Sequence, residues 1–107
     1  MDKFAISVQL EAKPGREREV EEFLRSAMPL VEAEARTTNW YALRIGPSHF
    51  AIFDTFADQA GRDAHLSGDV AKALYARAAE LFAEPPKVDL LEILAVKTSE
   101  RRTRARA

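Results

Sequence analysis

Residues 39–56, NWYALRIGPSHFAIFDTF, form two strand-like runs around Gly46-Pro47-Ser48, and neither run leaves a polar face for water. A three-residue turn sets Trp40 opposite Asp54, Tyr41 opposite Phe53 and Arg44 opposite Phe50. Trp40, Phe50, Ile52 and Phe56 then share one side, and Tyr41, Leu43, Ile45 and Phe53 the other. A two-residue turn would shift the register and exchange the faces. Burying each such side chain is worth roughly 1.5–3 kcal/mol, so leaving either set wet would forgo many kcal/mol and expose a sticky patch. Helices covering one side and the sheet of a second copy covering the other satisfy both, so the hairpin points to a two-fold homodimer packed sheet to sheet. The alternative is a monomer with a flat, partly exposed sheet.

The other segments supply the helices. Phe4, Ile6, Val8 and Leu10 alternate with smaller or polar residues, a strand ended by Lys13-Pro14-Gly15. From Arg16 the period becomes helical, with Val20, Phe23, Leu24, Ala27, Val31 and Ala35 on one stripe. Pro29 removes a helical donor and crowds the carbonyl four residues back, so a kink is expected near Arg25 and Ser26. Asp58 can cap a short helix through about Leu66, and Ser67-Gly68-Asp69 separates it from a second helix over Val70 to Ala83. After Pro85-Pro86, Val88 to Lys97 reads as a last strand with large apolar residues on both sides. The order is that of an α+β, ferredoxin-like β-α-β-β-α(α)-β chain: a four-stranded antiparallel sheet with its helices on one face.

A chain of 107 residues makes one core, here residues 1–97, so any large site lies within it or between copies of it. Its charge is nearly balanced at −1, and no nucleic-acid motif is present, so neither polyanions nor anionic membranes are expected partners. No run approaches the roughly 20 apolar residues that span a bilayer, and a strand begins where a secretion signal would lie, so a soluble, cytoplasmic protein is expected. The absence of cysteine excludes disulfides, iron–sulfur clusters and thiolate nucleophiles. The end, TSERRTRARA, holds four arginines and one glutamate without apolar period, and residues 98–107 read as a disordered, solvated basic tail.

The segments AKPGREREVEEFL, EART, WYALRIGPSHFAIFDTF and GRDAHLSGDVAKAL, in this order and at this size, resemble the antibiotic biosynthesis monooxygenase superfamily, and within it the small quinol monooxygenase-like branch. The resemblance covers residues 3–97. It implies a dimeric α+β barrel and, in its characterised relatives, oxygenation of quinols and polyketide aromatics without metal or flavin; other relatives open haem. The haem-opening relatives carry asparagine on the first strand, where this chain has Ser7 and Gln9. The family usually has glycine at the position of Arg36, which leaves the turn into the second strand to be determined.

Cofactor-free oxygenation needs a base that makes the phenolate or enolate, donors for the oxyanion and a dry apolar pocket. His65 matches the histidine of the family's AHL segment and titrates in a useful range. On its helix it falls beside Asp58 and Arg62, next to a small face of Ala57, Ala60, Gly61 and Ala64, so a solvated or capping imidazole is the competing reading. His49, at the hairpin tip, reads as a surface residue. Asp54 lies on a face that should be buried, either as a base or as a structural acid paired with the Trp40 indole N–H or Arg44. Glu34, inside the apolar arc of the first helix, raises the same question, with Arg44 or Tyr41 as expected partners. Asn39, Trp40, Tyr41, Arg44, Phe53 and Tyr75 complete the candidate substrate-binding set, against the plainer reading that strand aromatics are core. The histidines are too dispersed for a protein-held metal, and no cofactor is expected.

Two functions follow as expectations. One is a homodimeric, cofactor-independent monooxygenase using O2 on a hydroquinone-like or polycyclic aromatic. The other is a non-catalytic dimeric barrel binding a small apolar ligand, or another small-molecule enzyme on the same scaffold.

Overall fold

The computed structural model describes residues 1–99. Its elements are β1 (Phe4–Glu11), α1 (Glu17–Ser26), α2 (Met28–Glu32), β2 (Asn39–Arg44), β3 (His49–Phe56), α3 (Gln59–Leu66), α4 (Asp69–Leu81) and β4 (Lys87–Glu92). The strands form one antiparallel sheet in the order β2-β3-β1-β4. This is the α+β ferredoxin-like arrangement, and the two central strands are the hairpin's second strand and the chain's first.

The turn at Gly46-Pro47-Ser48 is the three-residue one. Trp40 pairs with Asp54, Tyr41 with Phe53 and Arg44 with Phe50, and Ile45 N–H donates to the His49 carbonyl at 2.8 Å. Across β3, Phe50, Ile52 and Phe56 align with Leu10, Val8 and Phe4 of β1. The helices close over this face, and Val20, Leu24, Leu74, Leu81 and Phe82 join Ile6, Val8, Leu10, Phe50, Ile52 and Phe56 in one buried cluster.

Among the described residues, no helix covers the opposite face. Ala5, Ala51 and Thr55 are small enough to be covered by their neighbours. Tyr41 (53% exposed), Leu43, Ile45 (56%) and Leu91 remain open to solvent around the half-buried Phe53. The hairpin is therefore apolar on two sides and covered on one.

Two expected elements differ in extent. Instead of a kink near Arg25 and Ser26, the first helix breaks at Ala27, and the following turn ends at Glu32 rather than near Ala35. Pro29 cannot return an N–H to the Arg25 carbonyl, so the ladder is interrupted rather than merely bent. The last strand stops at Glu92, which pairs with Phe4, because β1 then runs out of partner backbone. A single further bond, Ile93 N–H to the Lys3 carbonyl at 2.8 Å, continues the line, and Leu94 is 92% exposed. The basic tail expected over 98–107 lies, from residue 100 on, outside the described residues. Among the described residues no helix is long and apolar enough to cross a membrane.

Candidate functional site

Asp54 is placed by alternation: on β3 it shares the helix-facing side with Phe50, Ile52 and Phe56, flanked by Ile6 on one neighbour strand and Trp40 on the other. It is 0% exposed. A carboxylate in that position needs a partner, and α3 supplies one. Asp58 caps this helix, its Oδ1 accepting from Gly61 N–H at 2.8 Å, and the helix turns Gly61 and His65 toward the sheet while Ala60 and Ala64 stay exposed. The alternative of a solvated imidazole is thereby overturned: His65 is 8% exposed, with its ring 5.4 Å from that of Phe56. Burying three alanine methyls gains little, whereas the imidazole answers a buried acid.

The ring lies between two carboxylates. Nε2 is 2.9 Å from Asp54 Oδ2, and Nδ1 is 2.5 Å from Glu34 Oε1. The Asp54 contact is close but poorly aligned, so neither Asp54 oxygen receives a well-directed hydrogen bond. Glu34 is more fully engaged. Thr37 Oγ1 donates to its Oε1 at 3.3 Å, and Val70 N–H, in the first turn of α4, approaches Oε2 at 3.4 Å. Gly68 makes room for this, since a Cβ there would lie 2.7 Å from Glu34 Oε2. The positive end of α4 adds to the attraction. The expected partners Arg44 and Tyr41 are therefore not those of Glu34: it lies in the turn after α2, beyond Glu32, and its carboxylate meets α3 and α4 instead.

Arg44 and Trp40 are likewise not the partners of Asp54. The Arg44 guanidinium pairs with Glu21 of α1 and sits 4.8 Å over the Phe50 ring, while Trp40 Nε1 is buried without an acceptor among the described residues. These two, with Tyr41, line a cleft of about 380 Å³ between α1 and the edge strand β2, whose other apolar walls are Leu24, Met28 and Phe50. His65 and Glu34 border a separate hollow of about 280 Å³ between the α2–β2 turn and α3.

The remaining candidates do not converge there. Asn39, Tyr41 and Phe53 project from the helix-free face: Asn39 Nδ2 donates to Thr55 Oγ1 at 3.0 Å, and the rings of Tyr41 and Phe53 are 6.4 Å apart. Tyr41 touches the cleft only because β2 is an edge. Tyr75 is exposed on α4. His49, at the start of β3, has Nε2 2.7 Å from Gln9 Oε1.

A crystal structure from Nitrosomonas europaea, of a protein of unknown function, is 54% identical to this chain, with a TM-score of 0.89 over 92% of this chain and 95% of that one. The two belong to one family. A second Nitrosomonas europaea structure and one from Caulobacter crescentus, both provisionally named antibiotic biosynthesis monooxygenases, are 17% and 18% identical. Their TM-scores are 0.76 and 0.75, over 86% and 88% of this chain and 99% and 92% of theirs. The chain has the antibiotic biosynthesis monooxygenase fold. No family model and no curated protein matches it.

Arg36, where the sequence resemblance led to the expectation of glycine, reaches Asp58 at 3.1 Å. No non-glycine residue described has a positive φ, so the turn into β2 accommodates a side chain without strain. Glu21, which pairs with Arg44, was not distinguishable in the sequence from any other helix-surface acid at i, i+4 from an arginine.

The electrostatics of the Asp54–His65–Glu34 group give a pH signature. Burial pushes the Asp54 carboxyl above its ordinary 3.8; the facing imidazole offsets this only in part, and the charge of Glu34 adds to it. Burial alone would push the His65 imidazole down, but Asp54 and Glu34 outweigh it and hold it above 6.5. In both cases the folded chain binds protons that the unfolded chain has already released, so each group lowers stability as pH rises through its folded pKa. For His65 the stabilisation is complete below 6.5 and disappears above it. The urea midpoint is expected to decline as pH rises above 6.5, and His65→Gln is expected to flatten that decline. An unchanged slope in the variant would remove His65 as its source.

Proposed function

We propose that this chain is a homodimeric monooxygenase that oxidises a hydroquinone-like or polycyclic aromatic with O2 and needs no cofactor. The observation that carries this reading is a buried proton-holding group, Asp54 with His65, directly behind Trp40, a wall of an apolar cleft. Trp40 offers a flat surface to an aromatic ring, with Tyr41 at its edge, and Arg44 is a donor for a developing oxyanion. Asp54 is the proposed proton acceptor. His65, set between two carboxylates, holds the charge left after proton transfer, so the two titrate as a unit. The deprotonated ring gives one electron to O2 and couples with the resulting superoxide; one oxygen enters the ring and the other leaves as water, so the substrate supplies all the electrons.

The second subunit covers the helix-free face in this proposal. Tyr41, Leu43, Ile45, Phe53 and Leu91 make an apolar surface of the kind that two copies can bury about a two-fold axis.

A second reading is favoured by one observation: Asp54 is fully buried, so a ligand in the cleft does not touch it unless Trp40 moves. On that reading the charged group is a clamp tying β3, α3 and the α2–β2 turn, and the dimer binds a small apolar ligand without chemistry.

Oxygen uptake by metal-stripped protein on a panel that includes 1,4-dihydroxynaphthalene separates the two. Catalysis is expected above the protein-free rate, falling about a hundredfold or more in Asp54→Asn if that carboxylate is the base. Uptake equal to the protein-free rate across the panel would leave only the binding function.

A further inference from the structure

The charge at the mouth of the Trp40 cleft is not balanced. Arg25 of α1 donates to Glu21 Oε2 through Nε at 3.1 Å and Nη2 at 3.0 Å, while Arg44, reaching across from β2, takes Oε1 of the same residue. Arg25 first, and the charge of Arg44, hold Glu21 well ionised, below the usual carboxylate range. Two guanidiniums thus share one carboxylate, leaving one positive charge beside an apolar hollow. Arg25 and Glu21 alone would be an ordinary pair along a helix surface. Arg44 differs because it comes from the opposite wall and is steered over Phe50, so the bridge spans the entrance.

We infer that the cleft takes a small aromatic carboxylate, its rings against Trp40, Leu24 and Met28 and its acid group on Arg44 and Arg25 in competition with Glu21. A carboxylate fits the planar fork of Arg44 as Glu21 does, and replaces it without leaving a guanidinium unpaired. The cleft volume, about 380 Å³, lies within the range of small-molecule sites and has room for a two-ring aromatic. The inference deepens the proposed oxygenase by giving its substrate an acidic substituent, and it rests on that reading for the cleft as the substrate site.

The test uses ligands that cannot be oxidised as hydroquinones, so binding is read without turnover. Trp40 is the single tryptophan, and its indole N–H gives one signal in a ¹H–¹⁵N correlation spectrum of the full chain. That signal is followed during titration with 2-naphthoate and with its neutral isostere 2-naphthamide. The naphthoate is expected to bind about tenfold more tightly, with the preference shrinking as salt is raised. Arg44→Gln is expected to bring the two affinities close together. Glu21→Gln, which frees both arginines, is expected to tighten the naphthoate severalfold and leave the naphthamide unchanged. Equal affinities in the unmodified chain, no movement of the indole signal with either ligand, or a Glu21→Gln variant that binds naphthoate no better would each overturn the inference. If Arg44→Gln fails to fold, Glu21→Gln decides, since a damaged fold does not tighten binding. Oxygen uptake with neutral hydroquinones is independent of these outcomes, so the loss of one reading does not carry the other with it.

Discussion

Replacing His65 with alanine is expected to destabilise the folded chain by about 3 kcal/mol near pH 6.5. The imidazole is the counter-charge of Asp54, which is 0% exposed, and the partner of Glu34 at 2.5 Å. Without it, two carboxylates on adjacent elements face a site with no cation. Asp54 can escape only by taking up a proton, which is why the loss is large but bounded. The cost is expected to shrink as pH rises through the raised pKa of His65, because the imidazole then loses the proton that made it stabilising. Denaturant unfolding of His65→Gln with and without Asp54→Asn isolates the pair. Asparagine carries no charge to strand, so the double variant is expected to recover part of the stability that His65→Gln loses. A double variant no more stable than His65→Gln would mean that the His65–Asp54 contact, despite its 2.9 Å length, contributes nothing.

Phe53→Lys is expected to convert the proposed dimer into 12.0 kDa monomers. Phe53 sits on a central strand of the helix-free face, in contact with Tyr41 across the ladder. Lysine there would place two like charges, one from each copy, in an apolar contact about a two-fold axis. Losing one large apolar group per subunit and adding an unpaired charge is expected to weaken association by ~4 kcal/mol or more, about a thousandfold. The helix-facing core does not include Phe53, so circular dichroism of the variant is expected to stay close to that of the parent. Sedimentation of the unmodified chain as a 12.0 kDa particle at micromolar concentration would remove the dimer from the proposal outright.

Strand pairing and its register were legible in residues 39–56, because a period of two admits few turn lengths and each choice sends a definite set of side chains inward. Asp58 announced the start of α3 and Pro29 the end of α1, since capping and the missing proline N–H act within a few residues. Even there the outcome differed in detail: the helix is interrupted at Ala27 and resumes for one turn as α2.

The partners of the buried acids were not legible. A buried carboxylate in the pattern says that some counter-group exists, not which one, and Trp40 and Arg44 were nearer in register to Asp54 than His65 is in sequence. The choice depended on the rotation of α3 about its axis, which its two alanines, Ala60 and Ala64, barely constrain. It depended also on the glycine at position 68, whose missing Cβ admits the Glu34 carboxylate.

Local periodicity and backbone chemistry, which the amino-acid order carries by itself, determined the elements, the inward face of each strand and the apolar surface that no helix covers. Only the tertiary structure decided that His65 stands between Asp54 and Glu34 and that Arg44 crosses to Glu21, because those pairings join residues up to 31 positions apart whose meeting is set by helix packing rather than by any neighbour in the chain.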